Sequence, residues 1–164
     1  MPKRWDVNAS PIISLCSINK ASFLTELCDD LLIPKGVAEE IDRGTEDDSA
    51  RIWLQEFGGP YIKNIGPIEP VIRAWDLGRG EAEVINWTYN NPKWTAILDD
   101  RAARNCIQSL NRRVLGTVGI IILAKKEQKI DEVGPLLNQL DQIGFRISRD
   151  LTDAAAELAG EKGN

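Results

Sequence analysis

Short apolar runs alternate with amphipathic stretches along the whole of this chain, and that alternation restricts its fold more than any other feature. Apolar runs at 4–7, 31–33, 61–65, 94–98, 114–115 and 145–148 have the length of buried strands. Between them, apolar residues recur at helical spacing. The spacing predicts helices over 34–44, 46–57, 68–77, 81–90, 101–110, 117–127, 135–143 and 150–159, mostly bounded by Gly or Pro. Residues 12–15 lie beyond a Ser-Pro break where a strand hands over to a helix. In the 46–57 helix, Ile52, Trp53 and Phe57 form the expected inner face. Strands alternating with helices imply a mainly parallel sheet covered on both faces, a three-layer α/β/α sandwich. With 164 residues and no linker or repeat, the expectation is a single domain over 1–164, its core spanning about 4–150.

Composition then narrows the chemistry. The chain has no histidine, which removes the Ser-His-Asp triad, the Cys-His pair and the common zinc and facial-triad iron sites. Cys16, Cys28 and Cys106 are odd in number and lack metal-ligand spacing, so buried thiols in a reducing cytoplasm are expected. No apolar run approaches the length of a membrane span. Hydrolytic chemistry would therefore depend on carboxylates, hydroxyls, lysines or a metal held by oxygen.

Charge is uneven. Residues 101–129 carry Arg101, Arg104, Arg112, Arg113, Lys125, Lys126 and Lys129 against Glu127 alone, a local +6 within a chain of net −5. Such a segment can face a polyanion or can simply be a set of solvated helix faces.

Ligands of parallel sheets collect beyond the carboxyl ends of the strands. Asn8 follows the first strand in VNASP, and Asp99-Asp100 follow WTAIL. Helical acids could complete the group: Glu39-Glu40 in VAEEI and Glu81 and Glu83 in GEAEV. Several carboxylates without an interleaved cation repel one another unless a divalent ion sits among them. All-oxygen donors favour Mg²⁺ or Mn²⁺, and such an ion polarises phosphoryl oxygens and acidifies water. Each piece also has a plainer reading. Asn8 can be an N-cap, Glu39-Glu40 a wet helix face, Glu81 a first-turn acid, Asp99-Asp100 a cap with its neighbour, and Gly116-Thr117 an ordinary strand-to-helix turn.

In combination, VNASPIISL, IPKGVAEEI, LGRGEAEVI, AILDDRAAR and VLGTVGIIILAKKEQKI, in this order, resemble PIN-domain proteins. The branch most similar is that of small prokaryotic VapC-like toxins, whose usual tail LLNQLDQIGFRIS also resembles. The resemblance spans roughly residues 4–150. It implies a Mg²⁺- or Mn²⁺-dependent ribonuclease, often the toxin of a toxin–antitoxin pair, commonly a homodimer and held inactive by a small antitoxin. Carried over by position, Asn8, Glu40, Glu81 and Asp100 are the implied metal ligands, with Asp99 as a neighbour able to substitute. Glu40, Glu81 and Asp100 are the implied catalytic acids. Ser10 and Thr117 fall where the family places small hydroxyl residues. Arg101, Arg104, Arg112 and Arg113 are candidates for RNA contacts. Asn8 departs from the aspartate usual across the wider family, which leaves a binding module with weakened catalysis as the alternative expectation. Asp6, deeper on the first strand, is not expected to replace the missing acid. A flavodoxin-like reading fits less well, because NASPIIS lacks a phosphate-binding loop.

Overall fold

The computed structural model describes residues 1–44 and 48–145. Five parallel strands form one sheet: β1 (Arg4–Val7), β2 (Asp30–Pro34), β3 (Ile62–Lys63), β4 (Thr95–Ile97) and β5 (Arg113–Leu115), in the order β3-β2-β1-β4-β5. Nine α-helices lie among the described residues: α1 (Ala9–Ser17), α2 (Phe23–Glu26), α3 (Lys35–Arg43), α4 (Asp48–Trp53), α5 (Pro70–Arg73), α6 (Arg79–Asn90), α7 (Arg101–Ser109), α8 (Thr117–Lys126) and α9 (Gly134–Gln142).

Successive strand residues point to opposite faces, so consecutive burial means that both faces are covered. Trp5, Asp6 and Val7 are all buried in β1, and Ala96, Ile97 and Leu98 are all buried at β4. The sheet is therefore the middle of three layers, as the alternation implied. Ile12, Leu15, Ile85, Ile97, Ile107 and Ile121 are fully buried in its core. Each such side chain contributes about 1.5–3 kcal/mol of transfer free energy.

The central strand β1 pairs with β2 on one side, Trp5 opposite Leu31, and with β4 on the other, Asp6 opposite Ala96. Strand succession runs outward from β1 to β3 and then returns to β4 on the opposite side. The β1/β4 boundary is thus a switch point, the place where open parallel sheets leave a crevice. The Asn8 N–H donates to the Ile97 carbonyl at 3.1 Å, which ties the ends of β1 and β4 together there.

Several local expectations change. Of the helix expected at 46–57, the described part is α4 followed by a wider π turn over Leu54–Gly58. The wider turn breaks the 3.6-residue phase on which the inner face was read. Ala50, Trp53 and Leu54 point inward, while Ile52 and Phe57 are 50% and 58% exposed. Residues 61–65 shorten to β3, because Gly59-Pro60-Tyr61 closes as a 3₁₀ turn and Gly66 takes φ +85°. The 68–77 helix shrinks to the single turn α5. Pro70 can only open it, and Asp76, at φ 52°, sits in the left-handed region beyond it. The one-turn α2 carries no sequence signal strong enough to anticipate it. The strand expected at 145–148 and the helix expected at 150–159 lie outside the described residues, apart from Phe145. Among the described residues, no helix is long and apolar enough to cross a membrane.

Candidate active site

Asn8, Ser10, Glu40, Glu81, Asp99, Asp100 and Phe145 line one open cleft of about 400 Å³ at the switch point. Each arrives by a simple local route. Asn8 is the residue between β1 and α1. Its backbone is that of an N-cap, yet its side chain makes no capping bond. The amide is 5% exposed, and its Oδ1 is buried without a hydrogen-bond partner. Glu81 stands in the first turn of α6, where the helix dipole favours a negative charge. Its Oε2 is likewise buried and unpartnered. Leaving such oxygens unpaired costs about 1–3 kcal/mol each.

The electrostatics of Glu81 describe the same deficit. Burial, the neighbouring Asp100 carboxylate, a carboxyl–carboxyl hydrogen bond with it, and Glu40 push the Glu81 pKa up to about 7. Among the described residues, no Lys or Arg is ion-paired with Glu40, Glu81 or Asp100. Three acids thus share a site without a protein cation.

The two adjacent aspartates after β4 have different fates. Asp100 caps α7, its Oδ2 accepting from the Ala103 N–H at 3.0 Å, and it remains exposed to the cleft. Asp99 is bonded through both oxygens to Thr117: Oδ1 accepts from the backbone N–H at 2.8 Å and Oδ2 from the hydroxyl at 2.6 Å. Burial raises the Asp99 pKa against the opposing pull of Thr117 and Arg104. Asp99 therefore anchors the start of α8 to the end of β4. Thr117 is fully buried and reaches the cleft only through Asp99.

Ser10 is exposed at the rim, and Arg101 is exposed at the start of α7. Arg104 is half-buried and donates from Nη1 to the Leu98 carbonyl at 2.9 Å. Arg112 is structural: its guanidinium donates to the Tyr89 and Leu110 carbonyls and lies 5.0 Å from the Tyr89 ring. Lys125 bonds the Asp131 carbonyl. The cationic segment therefore retains Arg101, Arg113, Lys126 and Lys129 as exposed charges.

Glu39 and Glu83 take no part in the cleft lining; both are bonded to Arg79. Asp6 is fully buried below it, accepting a 2.5 Å hydrogen bond from Thr88. Phe145 is a cleft residue that sequence reading missed. Nothing in its local pattern marks it, since it enters the lining through the turn after α9, where Gly144 takes φ 93°.

All donors in the cleft are hard oxygens, and two of them are orphaned, so the set fits a divalent cation. Among the described residues, no three His, Cys, Asp or Glu side chains, as placed, form a group that could hold a metal ion by themselves. The acids line an open cleft in which Asn8 supplies a neutral donor.

Fold and cleft together define an α/β domain with an acidic site at the carboxyl edge of its sheet. The family model described as PIN domain matches residues 5–161, and the chain belongs to that family. PIN domains are generally nucleases that act on nucleic acids, typically with a divalent metal. No curated protein and no solved structure matches the chain.

Proposed function

We propose that this protein is a Mg²⁺- or Mn²⁺-dependent endoribonuclease. The observation that carries the reading is the pairing of orphaned oxygens on Asn8 and Glu81 with the uncompensated acids Glu40 and Asp100, all in one cleft. Asn8, Glu40, Glu81 and Asp100 would hold the cation. Asp99, committed to Thr117, supports the wall rather than the ion. A bound cation supplies Lewis-acid polarisation of the phosphoryl group and lowers the pKa of water. The chain's residues do the rest. Glu81 and Asp100 hold negative charge close to the scissile phosphate position only when a cation balances it. Ser10 can donate a hydrogen bond at the rim, and Arg101, together with the Arg104 nitrogens other than Nη1, can meet flanking phosphates. Hydrolysis in line would leave a 5′-phosphate and a 3′-hydroxyl.

In the cell, the resemblance to VapC-like proteins supports a cytoplasmic toxin role, with a small antitoxin and a homodimeric state. Glu81→Gln tests the chemistry: it should abolish Mn²⁺-dependent RNA cleavage and leave the circular-dichroism spectrum unchanged. Undiminished cleavage by that variant would sink the assignment.

The neutral Asn8 favours a second reading, a PIN fold that binds without cutting. Here Asn8→Asp discriminates. Cleavage that appears only in the variant identifies the native chain as a binding module.

A further inference from the structure

The helices α3 and α6, which carry Glu40 and Glu81, meet more closely than side chains would normally allow. A Cβ at Gly36 of α3 would lie 2.8 Å from Glu83 Oε1, and one at Gly80 of α6 would lie 3.2 Å from Val37 Cγ2. Each glycine therefore faces the opposite helix: a side chain at Gly36 would displace the Glu83 carboxylate, and one at Gly80 would press on Val37.

Glu83 occupies this seam. Its Oε1 accepts the Gly36 N–H at 2.8 Å, and its Oε2 accepts from Arg79 Nε at 3.0 Å. The same guanidinium reaches back to Glu39 on α3 at 2.5 Å through Nη1. The Gly36 N–H is one of the first-turn donors that no carbonyl of its own helix can satisfy. Pro34, at the N-cap, offers no side-chain acceptor. A carboxylate from α6 thus caps α3, and the Arg79 fork fastens α3 a second time, one residue before Glu40.

Stability alone is a poor reason for this arrangement. Glu83 is 7% exposed but the Arg79 side chain is 53% exposed, and ion pairs with a partner in solvent contribute little. What the brace does achieve is registry. Gly36 and Glu40 are one helical turn apart on one face of α3. Glu81 is two residues from each of Arg79 and Glu83, so the brace fixes the helix that carries it rather than its side chain.

We propose that Glu83, held by Arg79, is a positioning residue that sets Glu40 at its working distance from Glu81. This rests on the metal-site reading above. Loss of partners that orient a ligand typically weakens metal binding about 10- to 100-fold.

The test is Mn²⁺ titration by electron paramagnetic resonance on the full chain, with thermal midpoints measured in parallel. Glu83→Ala should weaken Mn²⁺ binding about tenfold or more and lower kcat with little change in KM for RNA. Glu83→Gln, which keeps an acceptor for the Gly36 N–H, should recover part of that loss. If Glu83→Ala does not fold, Gly36→Ala carries the same expectation, because its Cβ would lie 2.8 Å from Glu83 Oε1 and displace that carboxylate from the Gly36 N–H. A lowered thermal midpoint with unchanged Mn²⁺ affinity in these variants would overturn the proposal and leave the metal site standing. Absence of Mn²⁺ binding by the unmodified protein would overturn the metal reading and this inference with it.

Discussion

Two polar clusters occupy the same seam between β1 and α6, and they are built to opposite ends. Asp6 and Asn8 are two residues apart on one side of the seam, while Thr88 and Glu81 are two helical turns apart on the other. At the inner end, Asp6 is fully buried and accepts from Thr88, and burial holds its carboxyl well above the ordinary range. At the outer end, Asn8 and Glu81 each keep a buried oxygen without a partner. Asp6 Oδ2 is also buried without a partner, but no second carboxylate presses on it and it lies outside the cleft lining. The outer pair adds the charges of Asp100 and Glu40, in a cleft that solvent and substrate can enter. Position along one seam therefore separates an acid outside the cleft from one that lines it, although both are carboxylates among apolar neighbours.

The comparison can be broken first at the open end. Glu81→Gln should cost more than the roughly 10- to 100-fold that loss of an outer partner costs in metal affinity or activity. The check is RNA cleavage with and without Mn²⁺. At the sealed end, Thr88→Val removes the hydroxyl donor to Asp6. It should destabilise the fold by about 1–3 kcal/mol in urea denaturation, with Mn²⁺ affinity unchanged. Asn8→Asp adds one negative charge to the open cluster and should tighten Mn²⁺ binding by about tenfold, equivalent to about 1.4 kcal/mol.

Two smaller effects depend on pH, with opposite signs. Asp6 has a folded pKa raised above its unfolded value. Its contribution to stability is fully present below the unfolded pKa and is lost as pH rises through the folded pKa. Asp6→Asn needs no proton, so its thermal midpoint should gain on the native protein as pH rises. Glu81, pushed up to about 7, binds a cation only after losing its proton. Mn²⁺ affinity should therefore increase as pH is raised through that value. A pH-independent Mn²⁺ affinity would remove Glu81 from the ligand set.

The sheet and the principal acids were legible because they depend on local pattern. The run WTAIL followed by Asp99-Asp100, and GEAEV opening a helix, state their own secondary structure and place carboxylates at its ends. What remained hidden depends on partners distant in sequence. The bonding of Asp99 to Thr117 requires β4 and β5 to lie side by side, and neither residue announces the other. The two acids of GEAEV look equivalent in sequence, yet only Glu81 lines the cleft, because Glu83 is claimed by Gly36 and Arg79. The inner face of α4 failed for a different reason: a π turn changes the period on which an amphipathic face is counted. Arg104 and Arg112 show the same limit for charge, since a basic run does not reveal which guanidiniums are committed to main-chain carbonyls.

The central claim is that the open cluster is completed by a divalent cation. Calorimetric titration of the purified, metal-free protein with Mn²⁺, beside Glu81→Gln, tests it most directly. The account predicts saturable binding by the native chain that is lost in the variant while both remain folded. No saturable heat from the native chain, or the same binding curve from both proteins, would contradict it.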